Sequence, residues 1–242
     1  MRLWFTILIA SLDNGALAAG RLILPLVALQ VGAGTALVGV MSGLFTALPM
    51  IFSIRFGRWV DRTGTLLPIL FASLLIAVSS VLFIAFPTPY MLLPIAGLIG
   101  AGAVFAHVAS SRAVVGTYGR YERARNLGFL VVSYSAFQFL CPMVASLSFD
   151  HIGERAAILT IGAFSVLAMI GLTLPFHHYR SETATEAPTE GSGGWRLLRL
   201  RQLRMWIIVS GVFSGSQTIL PLVVSLHAID IGLSGSQAGL AC

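Results

Sequence analysis

The sequence contains no lysine. A retinal-type protein, which holds its chromophore through a lysine Schiff base, is thereby excluded. Acidic residues are also scarce, 9 against 15 basic side chains that are all arginine. Charged residues of both signs make up 10% of the 242 residues and apolar ones 57%. Soluble chains carry about 25% charge, so a soluble domain of this composition could not cover its apolar surface. Two cysteines, Cys141 and Cys242, cannot build a disulfide framework. No Cys/His pair has metal-ligand spacing, so neither a metal nor a cofactor is expected. There is no His-x-x-x-His, no Gly-x-Ser-x-Gly and no carboxylate pair inside an apolar run, which argues against an enzyme. The net charge of +6 is placed between apolar runs rather than in one patch, which argues against a nucleic-acid partner.

What is present is a series of long apolar runs. Seven spans are predicted, at roughly 3–29, 37–56, 66–87, 90–111, 127–149, 156–177 and 205–229. Each reaches the roughly 20 residues that an α-helix needs to cross about 30 Å of hydrocarbon. The runs do not alternate as barrel strands do, so helices are the spanning form. The first run is too long for a cleavable leader and carries Asp13 and Arg21. The fold class expected is an all-α polytopic transmembrane bundle.

Arginines fall on alternate connections. One set holds Arg2, then Arg55, Arg58 and Arg62, then Arg120, Arg123 and Arg125, then Arg180, Arg196, Arg199, Arg201 and Arg204; the other holds Arg155. Basic loops stay in the cytoplasm, so the N-terminus is expected inside and, with seven spans, the end near Cys242 outside. That orientation is opposite to seven-helix receptors. The long connection 178–204 divides the chain into a six-span bundle, 1–177, and a segment 205–242 with the seventh span. Its first part is acidic and rich in Gly and Ser, as a flexible linker is. Its second part places Trp195 and Leu198 among Arg196, Arg199, Arg201 and Arg204. Two readings stay open there, a short interfacial helix on anionic lipid or a plain anchor for the next span. Six spans, a long cytoplasmic loop and then further spans is a layout of transporters built from two halves.

Between the second and third spans stands Gly57-Arg58-Trp59-Val60-Asp61-Arg62-Thr63-Gly64. It resembles the Gly-x-x-x-Asp-Arg-x-Gly signature of the major facilitator superfamily. The physics of a tight hairpin predicts close packing at Gly57, positive φ at Gly64, a helix N-terminal cap at Asp61 and a carboxylate or lipid phosphate for Arg62. Basic residues that usually follow the signature are replaced by Thr65 and Leu66. Glu122 to Gly128 resembles the family's connection between helices four and five. Cys141-Pro142-Met143-Val144-Ala145-Ser146 is similar to the helix-five motif of family antiporters, with each glycine replaced by another small residue. Asp150 to Arg155 resembles the outer turn before helix six, and Gly232 to Leu240 the approach to an eighth helix. The Arg often found in the outer half of helix four is absent from Leu92 to Gly97. Because family members usually have twelve helices or more, the resemblance also implies a chain truncated after helix seven.

Charges inside a span cost about 2.5–3.5 kcal/mol on insertion scales, so each needs a reason. Asp13 lies about 15 Å into the first span, near the midplane. Asn14 and Arg21 are seven residues apart and share a face, whereas Asp13 lies about 80° round from Arg21. A cavity-lining cluster and a structural pair with a snorkelling Arg21 are both open. His107 and Arg112 sit in the inner half of span four, as proton relay or packed histidine and as helix-end anchor. Ser210, Ser214 and Gln217 form one stripe on span seven, and Gln138 lies with Ser133, Tyr134 and Ser135 on span five. Either solute contact or interhelical hydrogen bonding would account for them. Gly39 with Gly43, and Gly211 with Gly215, have the spacing of helix contacts.

The resemblance implies a secondary active transporter of a small solute in a bacterial inner membrane, with ion-coupled efflux, protons as the ion, as its expected mode. Asp13, Asn14, Arg21, His107, Gln138, Ser210, Ser214 and Gln217 are the expected pathway residues; Gly57, Asp61, Arg62 and Gly64 form the expected gating loop; Cys141 and Pro142 mark helix five. The alternative is a non-transporting fragment that needs a missing C-terminal half or a second copy of itself. Membrane lipids are the remaining expected partners.

Overall fold

A computed structural model describes residues 2–86, 88–115, 120–173, 205, 208 and 209. Six helices follow one another: α1 Arg2–Gln30, α2 Thr35–Thr63, α3 Leu66–Ala85, α4 Leu92–Val115, α5 Arg120–Ile152 and α6 Glu154–Thr173, with one 3-10 turn at Pro89–Met91 before α4. All six are long and apolar enough to cross a membrane. Helices satisfy their own backbone groups, which lipid cannot do. The spans predicted at 3–29 and 66–87 match α1 and α3 within two residues. Of the predicted seventh span only residues 205, 208 and 209 are described, and the linker 178–204 and the glycine pair Gly211 and Gly215 lie outside the described residues.

Two ends are set by glycine. After α1 the Ala33 N–H reaches Ala28 O at 2.9 Å and the Gly32 N–H reaches Leu29 O at 3.1 Å, with Gly32 at φ 77°. This is a Schellman closure, which needs the left-handed conformation that Gly adopts without a Cβ clash. Gly64 closes α2 at φ 80°, its N–H on Val60 O.

Helix α1 is the centre. Its Leu22, Ile23 and Val27 share a core with Met41 and Phe45 of α2, Ile95 and Ile99 of α4 and Ile158 and Ile161 of α6. Between helices in lipid there is little hydrophobic drive, so close approach and van der Waals contact hold the bundle. Small residues permit that approach. A Cβ on Gly100 of α4 would run into the Phe45 carbonyl of α2, and one on Gly102 would stand 2.6 Å from Ala72 O of α3. On α6, a Cβ on Gly162 would meet Ser80 Oγ of α3 at 2.6 Å.

The structure corrects several expected boundaries. Helix α2 runs to Thr63 rather than ending near 56, so Gly57 to Arg62 is helix rather than loop. Helix α5 begins at Arg120 rather than 127. A helix does not stop where the hydrocarbon does; it continues through the headgroup region, where charge is tolerated.

Candidate functional site

The midplane acid on α1 is enclosed. Asp13 is 0% exposed, and its two carboxylate oxygens accept from Ser73 Oγ of α3 at 2.6 Å and Ser165 Oγ of α6 at 2.8 Å. Ser73 also lies 3.1 Å from its own-helix carbonyl at Ile69. One side chain of α1 thus ties together α1, α3 and α6. The sequence reading missed both serines. Each is a hydroxyl in an apolar run, and that isolation is the signal that could have marked them.

Asn14, the next residue, points elsewhere. Gln138 Nε2 of α5 donates to Asn14 Oδ1 at 2.6 Å, and Gln138 is exposed while Asn14 is half-buried. From Asp13 to Ala28 every residue of α1 is buried except Asn14, Ala18 and Arg21, which stand at i, i+4 and i+7. That spacing is a single open stripe on the central helix. Arg21 is half-buried, and its Nε finds no hydrogen-bond partner among the described residues. Asp13 is not beside it in function of face: the acid is spent on α3 and α6, the cation on the open stripe.

On α4, His107 is exposed, its ring centroid 5.1 Å from that of Tyr134 on α5. Tyr134 is buried, and its hydroxyl shares a 2.6 Å hydrogen bond with Ser110 Oγ of α4. Asn14, Gln138, His107 and Arg21 therefore lie on surfaces of α1, α4 and α5 that the bundle leaves uncovered. Cys141 is buried against α1, where a Cβ on Gly15 would stand 2.5 Å from its sulfur. Pro142 lies inside α5, and Ser146 Oγ donates to its carbonyl at 2.7 Å. Ser210, Ser214 and Gln217 lie outside the described residues.

The signature segment sits at the end of the bundle where α2 and α4 finish. Asp61 accepts from Arg112 Nε at 3.0 Å, both side chains about two-fifths exposed at 39% and 42%. Asp61 thus joins the last turn of α2 to the last turn of α4 and does not cap a helix N-terminus. The expected close packing at Gly57 is also absent, since a Cβ there meets nothing within 4 Å among the described residues. Aromatic rings supply the contact instead. Phe56 stacks on Phe105 at 4.1 Å, and Trp59 meets Phe56 at 5.4 Å and Phe71 at 5.5 Å, both edge-on. Positive φ at Gly64 is as the motif requires.

Six long apolar helices, with a buried polar brace, an uncovered polar stripe on α1 and an ion pair between the ends of α2 and α4, make the architecture of a multi-pass membrane protein. The family model for the Major Facilitator Superfamily matches residues 3–242. The chain belongs to that superfamily, whose members move small solutes across membranes and are generally not enzymes. No curated protein matches the chain at a significant level.

Proposed function

We propose that this chain carries a small solute by ion-coupled efflux across a bacterial inner membrane, with its N-terminus in the cytoplasm. The observation that carries the reading is the stripe of Asn14, Ala18 and Arg21, the only uncovered residues of α1 between Asp13 and Ala28. With Gln138 and His107 it offers donors and acceptors for a solute on the face left free by the bundle. Residues 205–242, with Ser210, Ser214 and Gln217, supply the start of the opposing wall in this reading, and 178–204 links the two. Asp13 is the coupling group: a fully enclosed carboxylate that meets two hydroxyls and no cation among the described residues is neutralised by a proton at least cost. Asp61 and Arg112 are the gate, because movement of one bundle against the other must strain the ends of α2 and α4.

The test is flux. Purified protein in liposomes containing a pH-sensitive dye is given an inward or outward proton gradient and a panel of labelled solutes. Solute-dependent proton movement, lost in Asp13→Asn while helix content is kept, is the expected result. Solute movement that ignores both the gradient and Asp13→Asn would remove the coupling assignment. No movement of any solute would remove the transport reading for this chain.

A further inference from the structure

We propose that the solute is an organic anion, bound through the Arg21 guanidinium on the open stripe of α1. This rests on the transport reading above and names the substrate class of that same face. The sequence alone leaves the sign of the site open, since span one carries both an acid and a base near its middle. The structure separates them. Both oxygens of Asp13 are taken by Ser73 and Ser165, and the residue has no exposed surface. Its carboxyl group is therefore directed at α3 and α6, away from the stripe. Arg21 stands on the stripe two turns from Asn14, half-buried, with its Nε enclosed and unpartnered among the described residues.

The neighbouring groups do not cancel it. Asn14 and Gln138 are neutral amides joined by one hydrogen bond, and His107 carries no negative charge in either of its states. The other described acids lie at helix ends: Asp61 is paired with Arg112, Glu122 is in the first turn of α5, Asp150 is near the end of α5 and Glu154 begins α6. Among the described residues, the open face of α1 thus carries a cation and no acid. A guanidinium offers five donors in a planar fork that fits a carboxylate or sulfonate with two parallel bonds. A seven-residue offset along α1 sets Arg21 about 10 Å from Asn14. That distance suits a solute with an anionic head at Arg21 and a polar end at the Asn14–Gln138 pair.

The electrostatic sign can be read without knowing the solute. Ala18→Cys is placed on the stripe in a Cys141→Ser, Cys242→Ser background of the full chain. The thiol is labelled with a methanethiosulfonate bearing a sulfonate and with one bearing a trimethylammonium. The rate ratio of the two reagents is referred to their ratio on free glutathione. One unpaired charge a turn away should raise the ratio in favour of the sulfonate about tenfold. Arg21→Lys should keep the preference, and Arg21→Gln should return the ratio to that of glutathione with helix content unchanged. A ratio that does not respond to Arg21→Gln overturns the proposal, as does a thiol that neither reagent reaches. Labelling needs no turnover, so the two readings fail separately. A responsive ratio without flux leaves the anion site standing and removes transport, whereas flux with an unresponsive ratio removes only the anionic assignment.

Discussion

Helices α1 and α2 are both 29 residues long, and they occupy opposite positions in the bundle. In α1, 78% of the most apolar stretch is buried, against 22% in α2. Within those stretches the buried helix is the more polar one, with a mean hydropathy of 1.5 against 2.0. It holds Ser11, Asp13, Asn14 and Arg21, whereas the polar side chains in the body of α2 are few. The destinations of their hydrogen bonds differ as well. Ser42 and Ser53 of α2 bond carbonyls of their own helix, Val38 at 2.9 Å and Met50 at 3.0 Å. Asp13 and Asn14 of α1 bond three other helices. In lipid, apolar surface does not drive a helix inward; a polar group that must find a partner does.

The largest effect that would break this contrast is steric. A Cβ at Gly15 of α1 would lie 2.5 Å from Cys141 Sγ and 2.8 Å from the Phe137 carbonyl of α5. The sulfur can turn aside, but the backbone oxygen cannot. Gly15→Val is expected to destabilise the bundle at or beyond the upper end of the roughly 1–3 kcal/mol of overpacking. Thermal unfolding followed by tryptophan fluorescence in detergent measures it, and an unchanged midpoint would show that α1 and α5 are not in contact there.

Next is the polar brace. At a pH where Asp13 is ionised, Ser165→Ala removes one of two donors to the enclosed carboxylate and should cost about 1.5–3 kcal/mol, the range for hydrogen bonds to charged groups. In an Asp13→Asn background the same change should cost about 1 kcal/mol, since a neutral amide is easier to leave half-satisfied. Equal costs in the two backgrounds would separate Ser165 from Asp13. The matched change on the outer helix, Ser42→Ala, removes a bond within one helix and should cost under about 0.5 kcal/mol.

The number of described spans and the signature at Gly57 to Gly64 were legible because they depend on run length and on local residue type. The direction of Asp13 was not. Helix α1 is enclosed nearly all round, so the periodicity of its apolar residues carries no face, and the partners of Asp13 are serines 60 and 152 residues away in sequence. The 80° between Asp13 and Arg21 separated their faces in the sequence, but not which face the bundle covers. The end of α2 was lost for another reason. At 1.5 Å per residue its length is about 43 Å, matching hydrocarbon plus headgroups rather than hydrocarbon alone, and hydropathy reads only the latter. The sequence offers Arg112 as an end-of-helix anchor; its pairing with Asp61 joins the ends of two helices that lie far apart along the chain.

A smaller effect is expected at that ion pair. Both side chains are too exposed for a large electrostatic gain, and exposed pairs contribute about 0–1 kcal/mol. Asp61→Asn and Arg112→Gln, alone and together, should yield a coupling within that range by the same unfolding measurement. If flux falls far more than stability, the pair acts on the conformational equilibrium. If stability falls by several kcal/mol, the pair is shielded by a part of the chain beyond the described residues, and the gate assignment loses its basis.

The smallest effect is expected on the uncovered face of α2. Gly39 and Gly43 have the spacing of a helix contact, yet a Cβ on either meets nothing within 4 Å among the described residues. Around them Val40, Met50, Ile51 and Ile54 are exposed. Small residues at a four-residue interval matter only where another backbone comes close, because their role is to let it. Gly43→Leu therefore meets no clash within the bundle, and it replaces a poor helix former with a good one, a change of about 0.8–1 kcal/mol in the favourable direction in water. The expected result is a midpoint equal to or slightly above that of the parent, next to the sharp loss in Gly15→Val. The same pair of substitutions then gives opposite signs on two helices of equal length. A loss of more than about 1 kcal/mol in Gly43→Leu would mean that α2 is not an outer helix in the working protein. Cross-linking of Val40→Cys, in the background lacking Cys141 and Cys242, would then distinguish a second copy from a later segment of the same chain, since only a second copy yields a symmetric disulfide dimer.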